Sequence, residues 1–169
     1  GVRRELAGSS YLDRVHECAE GLAAVRRREP GVSLVRDASL PMLRTDDPVE
    51  RRLRHVITEN ARVLQAADAV RRGDAEALGR LLVAAHTSLR DDYEVSCPQL
   101  DCLVDSALAQ PGCFGARMVG GGFGGCTLNV VEASRVDAFI EGALTAYRSQ
   151  CSETPRSFAF DLVGGAAVG

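Results

Sequence analysis

Residues 115–126 read Gly115-Ala116-Arg117-Met118-Val119-Gly120-Gly121-Gly122-Phe123-Gly124-Gly125-Cys126, with five glycines in the six positions 120–125. Each glycine costs roughly 0.5–1 kcal/mol of conformational entropy relative to alanine. A tight hairpin needs only one or two of them. The excess points to backbone that another group must approach closely: a second loop, a phosphate or a substrate. The segment does not fit the dinucleotide fingerprint, which needs Gly-x-Gly-x-x-Gly opening a helix and an acidic residue about 20 positions on. Nor does it fit a Walker A loop, since it lacks both the lysine and the following helix. Spacing alone leaves two readings open, ligand contact and a tight structural hairpin.

Other residue types narrow the chemistry. All 20 basic residues are arginine, which excludes Schiff-base, Walker and general-base lysines. The run Arg90-Asp91-Asp92 offers paired carboxylates of the kind that hold Mg²⁺. Its place between Leu89 and Pro98 favours a cluster of hydrogen bonds that ends a helix. His16, His55 and His86 flank apolar helix faces and read as structural or surface histidines. Glu59 and Asn60 read as polar anchors of a long helix. Arg26-Arg27-Arg28 and Arg51, Arg52 and Arg54 read as solvated helix faces. The six cysteines (Cys18, Cys97, Cys102, Cys113, Cys126, Cys151) form no CxxC and no Cys/His cluster with zinc spacing. They read as buried reduced thiols of a cytoplasmic protein, and no metal site is expected.

The elements that must position these residues follow from a chain of 169 residues, 46% hydrophobic and 25% charged. That is enough for one domain with its own core, expected over residues 1–169. A net charge of −3 gives no electrostatic reason to expect nucleic acid. No apolar run approaches the roughly 20 residues of a membrane span. Gly1 to Leu6 shows no apolar signal region, and a start at Gly rather than Met suggests a processed or truncated chain.

The periodicity predicts a first helix over Ser10–Arg28, with Leu12, Val15, Ala19, Leu22 and Val25 on one face, capped by Ser9 or Ser10. A loop over 31–45 holds a short extended piece, Val32–Val35. Asp46 or Asp47 caps a long second helix with Pro48 in its first turn. Its stripe is Val49, Leu53, Val56, Ile57, Val63, Leu64, Ala67 and Val70, and Gly73 ends it. A third helix runs from Asp74 to about Leu89, and a fourth begins at Pro98. The texture then changes to a strand over Phe114–Val119, the glycine run and a strand over Cys126–Val131. A helix capped by Ser134 and a last strand over Ser157–Val163 follow, with Gly164–Gly169 expected to fray. Helices first and then β-β-α-β describe a segregated α+β domain, an antiparallel sheet with helices on one face.

Gly115–Cys126 resembles the third signature motif of galactokinases, members of the GHMP small-molecule kinase superfamily. His86-Thr87-Ser88-Leu89-Arg90-Asp91-Asp92-Tyr93-Glu94-Val95-Ser96-Cys97-Pro98 is similar to that family's S-H-x-S-L-R-D-D-Y-E-V-S-x-P block. His55-Val56-Ile57-Thr58-Glu59-Asn60-Ala61-Arg62-Val63 is similar to its H-V-x-x-E-N-x-R-V helix. Ser10-Tyr11, Arg14, Glu17 and Cys18 echo its Y-N-x-R-R-x-E-C helix. The likeness covers essentially the whole chain in the right order. Two departures stand out: Val119 replaces a usual Thr, and Leu12 and Val15 replace an Asn and an Arg.

The resemblance implies the C-terminal domain of a kinase that phosphorylates galactose at its C1 hydroxyl, with a ferredoxin-like fold and added helices. It implies ATP and Mg²⁺, held mainly by an N-terminal GHMP domain that this sequence does not contain, along with the phosphate loop and the catalytic Asp. Tyr11 is expected to contact the sugar. Gly120, Gly121, Gly122, Gly124 and Gly125 are expected to brace the phosphate loop beside the nucleotide. No catalytic residue is expected in the chain itself, so the isolated chain should not turn over. An apolar surface left open by the missing domain could drive oligomerisation. Three other readings remain open: a stand-alone small-molecule-binding module, a sugar-sensing pseudo-kinase and another GHMP kinase.

Overall fold

A computed structural model describes residues 9–44, 47–151 and 153–160. Five helices and a hairpin follow in order: α1 (Ser9–Arg28), α2 (Pro48–Arg71), α3 (Ala75–Asp91), α4 (Pro98–Leu108), β1 (Cys113–Val119), β2 (Cys126–Val131) and α5 (Val136–Arg148). The order is α+β as expected, and among the described residues the sheet has two antiparallel strands.

The helix starts obey the capping chemistry of the sequence. Asp47 precedes α2 and accepts the Val49 N–H at 2.9 Å, with Pro48 at the first position, where its missing N–H costs nothing. Asp74 precedes α3 and accepts the Ala77 N–H at 2.8 Å. Asp46, the alternative cap, lies outside the described residues. Ser9 and Ser10 lie within α1 rather than ahead of it. Ser134 does not cap α5: it sits in a 3-10 turn over Ala133–Arg135, and its hydroxyl donates to Glu132 instead.

Several apolar patterns resolve differently from the periodicity. Val32–Val35 forms no strand. The Asp37 carboxylate accepts the N–H groups of Ser33 and Leu34, at 3.1 and 2.8 Å, and the chain coils into 3-10 turns at Val35–Asp37 and Leu40–Met42. An aspartate that satisfies nearby backbone donors competes with a strand that has no neighbour to pair with. On α1, Leu12, Val15 and Ala19 are exposed, while Gly21 and Val25 are buried with Arg14, Glu17 and Cys18 partly covered. On α2, Val63, Leu64 and Val70 are exposed, and Glu50, Arg52 and His55 are buried. Residues 157–160 of the expected last strand have no regular structure, and Phe158 and Phe160 are 77% and 71% exposed. The rest of that strand and the tail Gly164–Gly169 lie outside the described residues.

Three apolar clusters hold the elements together. Val25, Val32, Ala38 and Leu53 join α1 to α2. Leu89, Val95, Leu100 and Met118 join the end of α3, the start of α4 and β1, with Tyr93, Cys97 and Phe123 packed against them. Val104, Ala107, Ala116 and Phe139 join α4, β1 and α5. β1 and β2 pair from Val119↔Cys126 to Cys113↔Val131, with an irregularity between Cys113 and Gly115.

The tightest junction is made of glycines on two elements. A Cβ on Gly79 of α3 would fall on the Phe114 carbonyl and within 2.9 Å of the Phe114 Cβ. A Cβ on Gly115 of β1 would fall 2.5 Å from the Gly79 carbonyl carbon. Helix and strand therefore meet backbone to backbone, and neither backbone can yield to a methyl group. Gly79→Ala is expected to destabilise the chain by about 3 kcal/mol or more. Gly31→Ala, where a Cβ would meet nothing within 4 Å, should change stability by less than about 0.5 kcal/mol. Urea denaturation of the two variants checks the contrast.

Candidate functional site

The two sequence elements expected to face a ligand, the start of α1 and the glycine run, are linked through residues 92–95. The first of these, Tyr11, is 49% exposed on α1. Burial pushes the Tyr93 pKa up to about 12, with Cys18 and Tyr11 adding to the shift. The Cys18 thiol approaches the Tyr93 hydroxyl at 4.0 Å. The Tyr93 ring stacks on His55 with centroids 4.7 Å apart.

The glycine run takes the shape its composition requires. Gly120, Gly122, Gly124 and Gly125 all have positive φ, and so does Phe123 at 60°. Phe123 donates its N–H to the Val95 carbonyl at 2.7 Å. A Cβ on Gly122 would lie 2.6 Å from the Val95 Cβ and closer still to its carbonyl oxygen. The close approach at Gly122 is therefore to another loop of this chain. Gly120 is different: a Cβ there meets nothing within 4 Å, and the residue faces solvent.

Residues 92–95 are in turn locked by arginines of α2. Arg52 is 3% exposed and spreads its guanidinium over three acceptors. Nε donates to Glu17 Oε2 at 2.6 Å, Nη1 to the Asp92 carbonyl at 2.6 Å, and Nη2 to Glu94 Oε2 at 2.7 Å. Burial works against the Arg52 charge, yet the bonds to Glu94 and Glu17 outweigh it and raise its pKa. Arg51 adds a bond to Glu94 Oε1 at 3.0 Å. Hydrogen bonding by Arg52 holds the Glu94 carboxyl below the usual carboxylate range. Glu94 itself sits at φ 53°, a left-handed conformation that costs a non-glycine residue about 1–2 kcal/mol.

Asp92 is engaged on both oxygens. Arg54 donates to Oδ1 at 2.6 and 3.0 Å, and Ser88 donates its hydroxyl to Oδ2 at 2.9 Å. Because the Ser88 proton goes to Asp92, its oxygen accepts from His55 Nδ1–H, at 3.0 Å, which fixes the His55 tautomer. Asp91 pairs with Arg90 at the surface. The Asp92 carboxylate thus belongs to a hydrogen-bonded cluster at the end of α3, whereas Asp91 pairs with its exposed neighbour Arg90. Among the described residues no group of three His, Cys, Asp or Glu side chains could hold a metal ion.

The remaining polar candidates are structural, with corrections. Glu59 takes Arg117 Nη1 at 2.6 Å and Arg62 Nε at 2.8 Å, tying α2 to β1. Burial raises the Glu59 pKa, but these two guanidinium groups outweigh it and lower it overall. Asn60 is exposed and does not anchor the helix as expected, and His16 is exposed. His86 Nδ1 accepts the Met118 N–H at 3.4 Å, while Nε2 lies 3.3 Å from Asp101 without hydrogen-bond alignment. The arginine runs are not simply solvated faces. Arg28 donates to both oxygens of the buried Glu50 at 2.9 Å, and Arg52 and Arg54 are engaged as above. The six cysteines are free thiols, half-buried except for the exposed Cys126, so the expectation of full burial fails.

The chain is similar to known proteins in sequence and fold. Residues 66–148 match the sequence profile of the family described as GHMP kinases C terminal. The chain is 46% identical to a galactokinase of Homo sapiens over 90% of its own length and 41% of the relative's. It is 45% identical to one of Exiguobacterium sibiricum over 98% of its length and 43% of the relative's. The crystal structure of Lactococcus lactis galactokinase complexed with galactose superposes with a TM-score of 0.80 at 34% identity, over 88% of this chain and 40% of that one. Residues 66–148 belong to the GHMP kinase C-terminal family. The chain spans about two-fifths of the length of the galactokinases it matches.

Sequence reasoning proposed Tyr11 and the glycines as site residues and did not single out the buried ionic network of Arg52, Glu94 and Glu50. The signal was present, since Glu17 and Glu94 stand inside the family-like motifs. What the sequence lacked was their common partner. Buried His55 supplies a pH test. Burial pushes its pKa from 6.5 down to about 4, so the folded chain keeps the ring neutral while the unfolded chain takes up a proton. Stability from this source is complete above pH 6.5 and is lost as pH falls toward 4. In urea titrations the chain should lose roughly 2 kcal/mol more between pH 7 and pH 5 than the His55→Asn variant does. In the same assay, Gly122→Ala should destabilise more than Gly120→Ala, because only the first adds a collision with Val95 to the φ strain.

Proposed function

We propose that this chain is the C-terminal part of a galactokinase, forming one domain over residues 1–169. The complete enzyme transfers the γ-phosphoryl group of ATP to the C1 hydroxyl of galactose, giving galactose 1-phosphate. The observation that carries this reading is likeness to galactokinases, in sequence and in fold, along about nine-tenths of the chain.

The paired carboxylates Asp91 and Asp92 do not fit a binding site for Mg²⁺. Asp92 has both oxygens occupied, Asp91 is paired with Arg90 and the chain has no lysine. ATP and Mg²⁺ therefore belong mainly to an N-terminal GHMP domain of the complete enzyme, and no catalytic residue is assigned here. Phosphoryl transfer rests on positioning and charge stabilisation, so a domain can contribute by shape. Tyr11 lines the sugar pocket, its ring against the sugar face and its hydroxyl toward a sugar hydroxyl. Gly120, Gly121, Gly122, Gly124 and Gly125 brace the phosphate loop, Gly122 by anchoring the turn on Val95 and Gly120 by leaving open backbone. The isolated chain folds and does not turn over.

The exposed Tyr11, Leu12 and Val15 on α1 are the kind of apolar surface that an N-terminal domain would cover; uncovered, it would favour self-association. No described helix is long and apolar enough to cross a membrane. The free thiols accord with a reducing, cytoplasmic setting.

A coupled ADP-release assay with galactose and MgATP tests the reading, on this chain and on the complete protein. Turnover is expected only in the complete protein, and a complete protein without galactose-dependent ADP release would overturn it. There, Tyr11→Ala should raise the galactose KM several-fold and leave the ATP KM within twofold. An unchanged galactose KM would remove Tyr11 from the pocket.

A further inference from the structure

We propose that Arg52 is a positioning residue of the phosphorylation site, holding the Tyr11 helix and the glycine loop in one fixed relation. The inference rests on the galactokinase reading for its kinetic consequences and on geometry alone for the coupling.

The first half of α1 has little apolar packing to hold it. Leu12, Val15 and Ala19 face solvent, and the close approach of α1 to α2 is at Gly21, where a Cβ would lie 2.8 Å from the Val49 carbonyl oxygen. Between Tyr11 and Gly21, α1 is placed chiefly through Glu17. That carboxylate takes Arg52 Nε at 2.6 Å and pairs with Arg14 at 2.9 Å. Glu17 lies six residues beyond Tyr11, about 9 Å along the helix axis, so a tilt at Glu17 is carried to the tyrosine.

The glycine loop depends on the same guanidinium from the other side. Phe123 hangs by its N–H on the Val95 carbonyl, and Gly122 packs against it. Val95 follows Glu94, whose φ of 53° must be maintained against its intrinsic cost. The side chain of Glu94 is held by Arg52 and Arg51, and the Asp92 carbonyl is held by Arg52. Direct links between α1 and residues 92–95 are longer: Arg14 to Glu94 at 3.7 Å and Cys18 to Tyr93 at 4.0 Å. Arg52 thus makes the short polar connection between two elements that a sugar and a phosphate would have to meet together. A planar guanidinium can bridge three acceptors in fixed directions, and an ammonium cannot reproduce that fork.

The test uses the complete protein carrying Arg52→Lys, with Arg28→Lys as a control that weakens a comparable buried pair with Glu50. Hydrogen exchange is read by mass spectrometry, and kinetics are measured where circular dichroism shows both variants folded. Arg52→Lys should speed exchange at least fivefold in peptides covering 11–18 and 120–125 and leave those covering 136–148 unchanged. It should also raise the galactose KM and lower kcat at least fivefold each. Arg28→Lys should lower the melting temperature without either effect. Wild-type exchange in either segment of Arg52→Lys would overturn the proposal, as would wild-type kinetics in an otherwise active enzyme. If the complete wild-type protein does not phosphorylate galactose, the galactokinase reading fails and the exchange arm still decides the coupling. Should Arg52→Lys not fold, Glu94→Gln, which weakens the pairing with Arg52 at similar size, is expected to show the same paired response. Its absence would equally overturn the proposal.

Discussion

A guanidinium buried as deeply as that of Arg52 is tolerated only when its donors meet acceptors, because desolvating a cation costs several kcal/mol. Three of its donors are satisfied at 2.6–2.7 Å, by Glu17 from α1, the Asp92 carbonyl and Glu94. Removing one partner of such a group typically costs about 3–5 kcal/mol, since the other charge is left buried and unpaired. The arrangement is therefore close to all-or-none. α1, α2 and the turn after α3 must come together for the charge to be buried at all. Such a requirement specifies geometry more than it adds net stability, and geometry is what a site made of a helix and a glycine loop needs.

The second constraint is steric. Gly79 and Gly115 let α3 and β1 touch through their backbones, and Gly122 lets the hairpin turn touch Val95. The three glycines occupy different elements but serve one end: α3 is pinned to the strand on one side and its terminal turn to the hairpin on the other. Glu59–Arg117 adds a charged tie from α2 to the same strand. The conformational cost of so many glycines is offset where each removes a clash. Gly120 faces open space, so the same argument does not account for it.

How much of this was legible in the sequence follows from what a linear pattern can encode. The cap at Asp47, the helix order and the paired strands on either side of the glycine run depend on neighbours within four residues or on strong composition, and they read correctly. Val32–Val35 and Ser134 failed because a nearby carboxylate, Asp37 or Glu132, offered a different local hydrogen bond. The stripes of α1 and α2 held only in part, with Val25 and Leu53 buried but Leu12, Val15, Val63, Leu64 and Val70 exposed, for another reason. Periodicity assumes that the buried face is apolar, and here it carries Arg14, Glu17, Glu50, Arg52 and His55. Most of these charged residues take partners far along the chain, 22 positions away for Arg28–Glu50 and 42 for Arg52–Glu94. No single-sequence pattern matches donors to acceptors over such separations.

The misread stripes also explain what the domain leaves exposed. With polar groups turned inward on α1, its apolar residues Leu12 and Val15 are left outward beside Tyr11, and Phe158 and Phe160 stand in solvent at the other end of the chain. A polar interface inside and an apolar one outside is an inversion that an isolated domain would not be selected to keep. It is coherent if the outer face is itself an interior in a longer protein, as the two-fifths coverage of the matched galactokinases suggests. On the proposed galactokinase reading, the charged network orients α1 from behind, and the side carrying Tyr11 is the one turned toward a second domain and the sugar between them.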